Sequence, residues 1–196
     1  STSGRPEGPY EETGFRCDDG APHLFRDDDG QIWIYFCFGP TRVAPLNDEL
    51  TDFTGELADV TYVNDHQQGY EGSWILKVGS KYVLFQTDWP GMDKLQRRGN
   101  LPRGVFKSTY QNYGTYDWMY SVSDHIRGPY GRPRLAVPHG GTGSVIKDRD
   151  GRYLATLFNP DSTGPFMCGL GVAPLEISLV GDDVIVRPQR GAAKQA

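Results

Sequence analysis

Glu71 is the residue of this chain best placed to do chemistry. It follows Gln67-Gln68-Gly69-Tyr70 and precedes Gly72-Ser73-Trp74, so a polar approach runs straight into an apolar strand. A carboxyl at the inner end of such a strand, crowded by rings such as Tyr70 and Trp74, loses hydration and keeps its proton to higher pH. That proton can be given to a glycosidic oxygen near neutrality. Read without its neighbours, the same residue is a solvated loop Glu.

Hydrolysis at a sugar carbon also needs a second carboxylate. In single-displacement enzymes it stands roughly 6.5–9.5 Å from the acid, leaving room for the attacking water. Asp18 and Asp19 precede Gly20-Ala21-Pro22-His23, and one of them is expected beside the acid. As a bare pair they equally suit a turn. Asp88, in Gln86-Thr87-Asp88-Trp89, and Asp161, in Phe158-Asn159-Pro160-Asp161, each follow an aromatic strand without a motif of their own. His23 either lines the pocket or hydrogen-bonds within the core. His139 lies in the flexible Pro138-His139-Gly140-Gly141-Thr142-Gly143. Trp33, Trp74, Trp89 and Trp118 offer flat faces for sugar rings, although most Trp in strands are core. His23, Tyr70, Trp74, Trp89 and His139 form the candidate substrate-binding set.

The elements that must hold these residues recur. A short apolar run, a Gly turn and a Tyr/Trp-rich run appear at about 22–38, 73–87 and 144–158, and a final hairpin spans 173–187. In the first, Asp27-Asp28-Asp29-Gly30 supplies a turn whose residues tolerate left-handed backbone. Residues 40–70 hold Arg42 to Leu46 and Leu57 to Val63, outer strands of the same unit, and Tyr116 to Val122 reads as a further strand. No segment demands a long helix. The pattern predicts an all-β fold, a β-propeller with about four blades visible, against a β-sandwich or jelly roll. One domain over 1–196 is expected, with an irregular segment over 1–20 and a flexible tail over 188–196.

Composition excludes several classes. The chain has 196 residues, 37% of them hydrophobic and 23% charged, with a formal charge of -5, which disfavours a nucleic-acid partner. There is no apolar run long enough for a membrane span. The basic residues Lys94, Arg97, Arg98 and Arg103 suit a solvated loop. Three Cys (17, 37 and 168) allow at most one internal disulfide, and no Cys-x-x-Cys or His/Cys cluster supports a metal site. Neither a phosphate loop, a zinc-protease helix nor a Gly-x-Ser-x-Gly elbow is present. Nothing at the start reads as a signal peptide. Localisation stays open, with a secreted or periplasmic place favoured.

Three stretches together resemble glycoside hydrolase family 43, the five-bladed β-propeller sugar hydrolases. They are Asp19 through Phe25 to Asp27-Asp28-Asp29-Gly30, then Glu71-Gly72 with Trp74 to Lys77 and Tyr82 to Phe85. The third comprises Tyr120 to Ser123, Gly128-Pro129-Tyr130, Gly143 to Val145 and Asp148 to Tyr153. The resemblance implies a pocket with three acids. Glu71 matches the general acid. Asp19, or Asp18 in another register, matches the Asp that raises and orients it. The general base belongs to a first blade that this sequence does not present, and no residue matches it. The family's Asp stands closer to Phe25, where this chain has Gly20 or Ala21. Its central His aligns with Thr142, which disfavours a central structural cation such as calcium without excluding it, and no other cofactor is implied.

The expected function is acid/base hydrolysis, with inversion, of arabinose-, xylose- or galactose-type links in plant or algal polysaccharide. The alternative is a non-catalytic carbohydrate-binding or vestigial propeller module. Unpaired strand edges of an incomplete ring predict a homo-oligomer or a partner segment that completes the propeller.

Overall fold

The computed structural model describes residues 3–12, 14–15, 20–37, 40–63, 71–88, 117–138, 140–159 and 169–189. Every regular element among them is a strand.

The first sheet orders β1 (His23–Arg26), β2 (Ile32–Cys37), β3 (Thr41–Leu46) and β4 (Ala58–Asp59) in sequence. The second orders β5 (Glu71–Val78), β6 (Lys81–Asp88), β7 (Asp117–Ser123) and β8 (Arg134–Val137) likewise. In the third, β10 (Tyr153–Asn159) pairs with β11 (Gly169–Val180), which pairs with β12 (Asp183–Pro188). β9 (Thr142–Lys147) lies along β10. All pairings within the sheets are antiparallel between sequence neighbours. Among the described residues three sheets thus stand where the sequence spacing suggested about four blades, because β10 of the hairpin at 144–158 joins the hairpin at 173–187 in one sheet.

The side-chain period of two explains the stacking. β2 is apolar on both faces: Ile32, Ile34 and Phe36 pack with Ala44 and Leu46, whereas Tyr35 joins Val43 on the other side. That second face meets Ile75, Tyr82 and Leu84 of the second sheet. The alternate residues of β6, Val83 and Phe85, turn the opposite way. With Trp118 and Tyr120 they meet Val145 of β9 and Ala155, Leu157, Ala173, Leu175, Val184 and Val186 of the third sheet. The middle sheet is therefore sandwiched, as blades of a propeller are. The outer face of the first sheet is capped by Phe15, Leu50, Phe53 and Leu57.

Polar latches tie neighbouring sheets at the rim. The hairpin after β1 closes with Gly30 N–H donating to Asp27 O at 3.0 Å, and Gly30 takes φ 90°, a conformation costly for any residue with a Cβ. Asp27 does more than turn the chain. Lys77 of the second sheet donates to its carboxylate at 2.7 Å, and Tyr82 bonds the other oxygen. Burial alone would push Asp27 up, but these donors hold its carboxyl below the usual range. Between the second and third sheets, Arg134 makes a two-pronged contact with Asp183 at 2.6 and 2.8 Å.

Candidate functional site

β5 adjoins β1 and β2 of the first sheet on one side and β9, beside the third sheet, on the other. Glu71 opens β5 and Thr142 opens β9, so the starts of two adjoining strands come together. Thr142 Oγ1 lies 3.4 Å from Glu71 Oε1 and 3.1 Å from Thr87 Oγ1. Thr87, fully buried, donates to Gly141 O at 3.0 Å.

A bulge sets this arrangement. Val78 faces Lys81 and Trp74 faces Phe85 one for one, a count that would bring Glu71 opposite Asp88. Instead the register slips between Glu71 and Trp74, and Glu71 faces Thr87. Gly72 makes the slip possible with φ 67°. A Cβ added there would sit 2.5 Å from Thr142 Cγ2, so the missing side chain is the space that the Thr142 methyl occupies.

Glu71 is half-buried. Loss of solvation raises its pKa above the ordinary carboxylate value, and the hydrogen bond from Thr142 partly offsets this. Beneath it runs a buried polar cluster. Gln86, with no exposed surface, approaches Thr41 Oγ1 and Cys37 Sγ and accepts from Tyr62 O–H at 3.0 Å. The Cys37 thiol is free and buried; burial pushes its pKa up, and the Glu71 charge adds to that rise.

His23 stacks on Trp74 with ring centroids 3.8 Å apart. Burial lowers its pKa to about 4, against a hydrogen bond with the Ile75 backbone that raises it. Its Nε2 has no partner among the described residues. The ring therefore binds to the neighbouring strand, and Trp74 is engaged on that side. Trp118 has no exposed surface and packs 4.7 Å from the Phe85 ring, so it offers no face to a ligand. Trp33 lies under the Arg127 guanidinium.

Of the residues singled out from sequence, Glu71, His23 and Trp74 are thus positioned by β5 and β1. Asp18, Asp19, Tyr70, Trp89, His139 and Asp161 lie outside the described residues, as does the Asp88 side chain. Among the described residues no second carboxylate contributes to the electrostatics of Glu71. Nor do any three His, Cys, Asp or Glu come together there as metal ligands. Thr142 presents a single hydroxyl where the resemblance has a His, so the described residues do not fit a central cation. Thr87 escaped sequence reasoning because only the bulge brings it opposite Glu71.

No family model matches the chain. It is 31% identical over 124 residues, 56% of its length, to a beta-D-galactofuranosidase of Aspergillus niger, of which it covers 35%. Among solved structures, it superposes on a GH43 protein from Bacillus licheniformis with TM-score 0.63 and 20% identity, covering 96% of this chain and 36% of that one. An alpha-L-arabinanase of Cellvibrio cellulosa, solved with arabinohexaose, gives TM-score 0.58 at 20% identity, with 89% and 59% covered. The chain spans about a third of the curated relative's length. These likenesses show that the stacked sheets have the β-propeller fold of those GH43-type structures, of which the chain covers a part.

Proposed function

From a fold shared with the family 43 glycoside hydrolases, we propose that this glycoside-hydrolase-like chain uses Glu71 as the general acid for cleaving a glycosidic bond. The observation that carries the reading is the half-buried Glu71 carboxyl, its pKa raised by desolvation, at the head of a strand adjoining the next sheet. A carboxyl that holds its proton to higher pH than an ordinary Glu can donate it as the bond between the anomeric carbon and the leaving oxygen breaks. The electron pair of that bond goes to the oxygen, which takes the Glu71 proton. A water adds to the carbon and loses its proton to a base. Asp18, Asp19, Asp88 and Asp161 are the candidates for the second carboxylate. Inversion follows if that base acts on water from the opposite face.

The substrate class rests on the relatives. The galactofuranosidase puts galactofuranosides in the set, and the arabinanase puts arabinose links in it. Xylosidases among the similar structures keep xylosides in the set. His23 and Trp74 are proposed as the floor of the sugar site, joined by Tyr70, Trp89 and His139. The test is a panel of aryl arabinofuranosides, galactofuranosides and xylosides with arabinan and xylan oligosaccharides. Turnover of one furanoside or xyloside class supports the reading, and no turnover by folded protein contradicts it.

A second reading, a carbohydrate-binding module without catalysis, is favoured by one observation. Gly20 and Ala21 stand where the resemblance expects an Asp. Binding of oligosaccharide without hydrolysis would decide for it.

Completion of the ring by another sheet is the partner we propose. Phe158, Leu170 and Val172 are 45%, 84% and 50% exposed on the face of the third sheet away from its core, whereas the far face of the first sheet is capped. Cross-strand pairing of Phe158 with Leu170 makes these side chains neighbours.

A further inference from the structure

We propose that Thr142 and Thr87 form a two-hydroxyl relay that holds the Glu71 carboxyl in one place in both of its protonation states. The proposal rests on the acid reading of Glu71, since a group that gives up a proton each cycle must be held both empty and loaded.

The chain of contacts runs Glu71 Oε1, Thr142 Oγ1, Thr87 Oγ1, Gly141 O, at 3.4, 3.1 and 3.0 Å. Each hydroxyl carries one proton and can both donate and accept. With Glu71 protonated, its O–H points to Thr142, Thr142 donates to Thr87, and Thr87 donates to Gly141 O. With Glu71 ionised, Thr142 turns and donates to the carboxylate, while Thr87 donates either to Thr142 or to Gly141 O. Two protons then serve three contacts, so one oxygen–oxygen contact goes without a proton, and it lies away from the carboxyl. No heavy atom has to move. A cationic partner in place of Thr142 could only donate and would favour the ionised carboxyl alone.

The geometry also explains why the middle member is Thr. Its methyl occupies the space left by the absent side chain of Gly72, where a Cβ would come within 2.5 Å. β-Branching then leaves few rotamers, and Oγ1 is held toward Glu71 and Thr87. Thr87 is fixed from the other side by full burial and by its register opposite Glu71. Both are positioning residues, since they act through Glu71.

The experiment is a pH titration of the Glu71 side-chain carboxyl by carbon NMR in the full chain, assigned by its absence in E71Q. T142V keeps the shape and removes the donor to the carboxylate, so the midpoint moves up. T87V removes the acceptor that Thr142 uses when Glu71 is protonated, which weights the Thr142 proton toward the carboxylate and moves the midpoint down. A loss of packing alone would not give opposite signs. T142S retains the hydroxyl and stays nearer the wild-type midpoint than T142V. Dispersed amide spectra check folding; if buried Thr87 tolerates no change, T142V against T142S decides by itself. Unmoved midpoints, or shifts of one sign in T142V and T87V, overturn the relay. None of these readings uses a substrate, so they stand apart from the outcome of the hydrolysis panel. Where turnover is measurable, T142V is expected to lower kcat about ten-fold with little change in KM.

Discussion

Gly72 and Thr142 touch across the gap between β5 and β9, and a single methyl group on Gly72 would abolish that fit. A Cβ there would lie 2.5 Å from Thr142 Cγ2, on a residue whose φ is 67°. G72A therefore combines backbone strain with a clash and should cost about 2–4 kcal/mol. G30A is the control, since Gly30 has positive φ but open space around it. It should cost only about 1 kcal/mol. Chemical denaturation of both variants checks the difference; equal losses would mean that the contact with Thr142 is unimportant.

His23 predicts a particular acid sensitivity. Its pKa falls from 6.5 to about 4 on folding, because burial against Trp74 disfavours the imidazolium. The unfolded chain then binds the proton first as pH drops. Stability from the neutral ring is present above about pH 6.5 and is lost as pH falls toward 4, by up to about 3 kcal/mol. Urea midpoints measured across that window should slope downward on acidification in the wild type and be flatter in H23F.

Asp27 and Lys77 should be energetically coupled. They join two sheets at 2.7 Å, with Lys77 also 2.9 Å from Asp28. A double-mutant cycle with D27N and K77M is expected to return about 1 kcal/mol, shrinking in high salt. Additive single losses would leave the latch without energetic meaning.

The exposed third-sheet face should drive association. Light scattering coupled to size exclusion is expected to show concentration-dependent oligomers that V172E reduces without lowering Tm, because Val172 is half exposed. A strictly monomeric wild type would argue that the face stays solvated in this chain.

How much of this was legible beforehand follows from particular residues. The hairpins were readable because Asp27 to Gly30 and Asp148 to Gly151 are turn formers between apolar runs, and both close the same way. The joining of β10 to the last hairpin in one sheet was not readable. The pairing of β10 with β11 spans a long connection, and local pattern carries no record of it. Glu71 was legible from its entry into an apolar strand. Its neighbours were not, because counting residues outward from the hairpin turn puts Asp88 opposite it, and one bulge at Gly72 replaces that residue with Thr87. Asp27 read as a turn residue alone, since its bonds to Lys77 and Tyr82 cross between sheets.

The most direct measurement compares wild type with E71Q on two substrates sharing one sugar, an oligosaccharide and an aryl glycoside with a highly acidic phenol. A poor leaving group needs the proton and an activated phenolate does not. Loss of roughly 10²–10⁴-fold on the oligosaccharide, with far smaller loss on the activated glycoside, is the result expected of a general acid. Wild-type rates of E71Q on the oligosaccharide would contradict the assignment of Glu71.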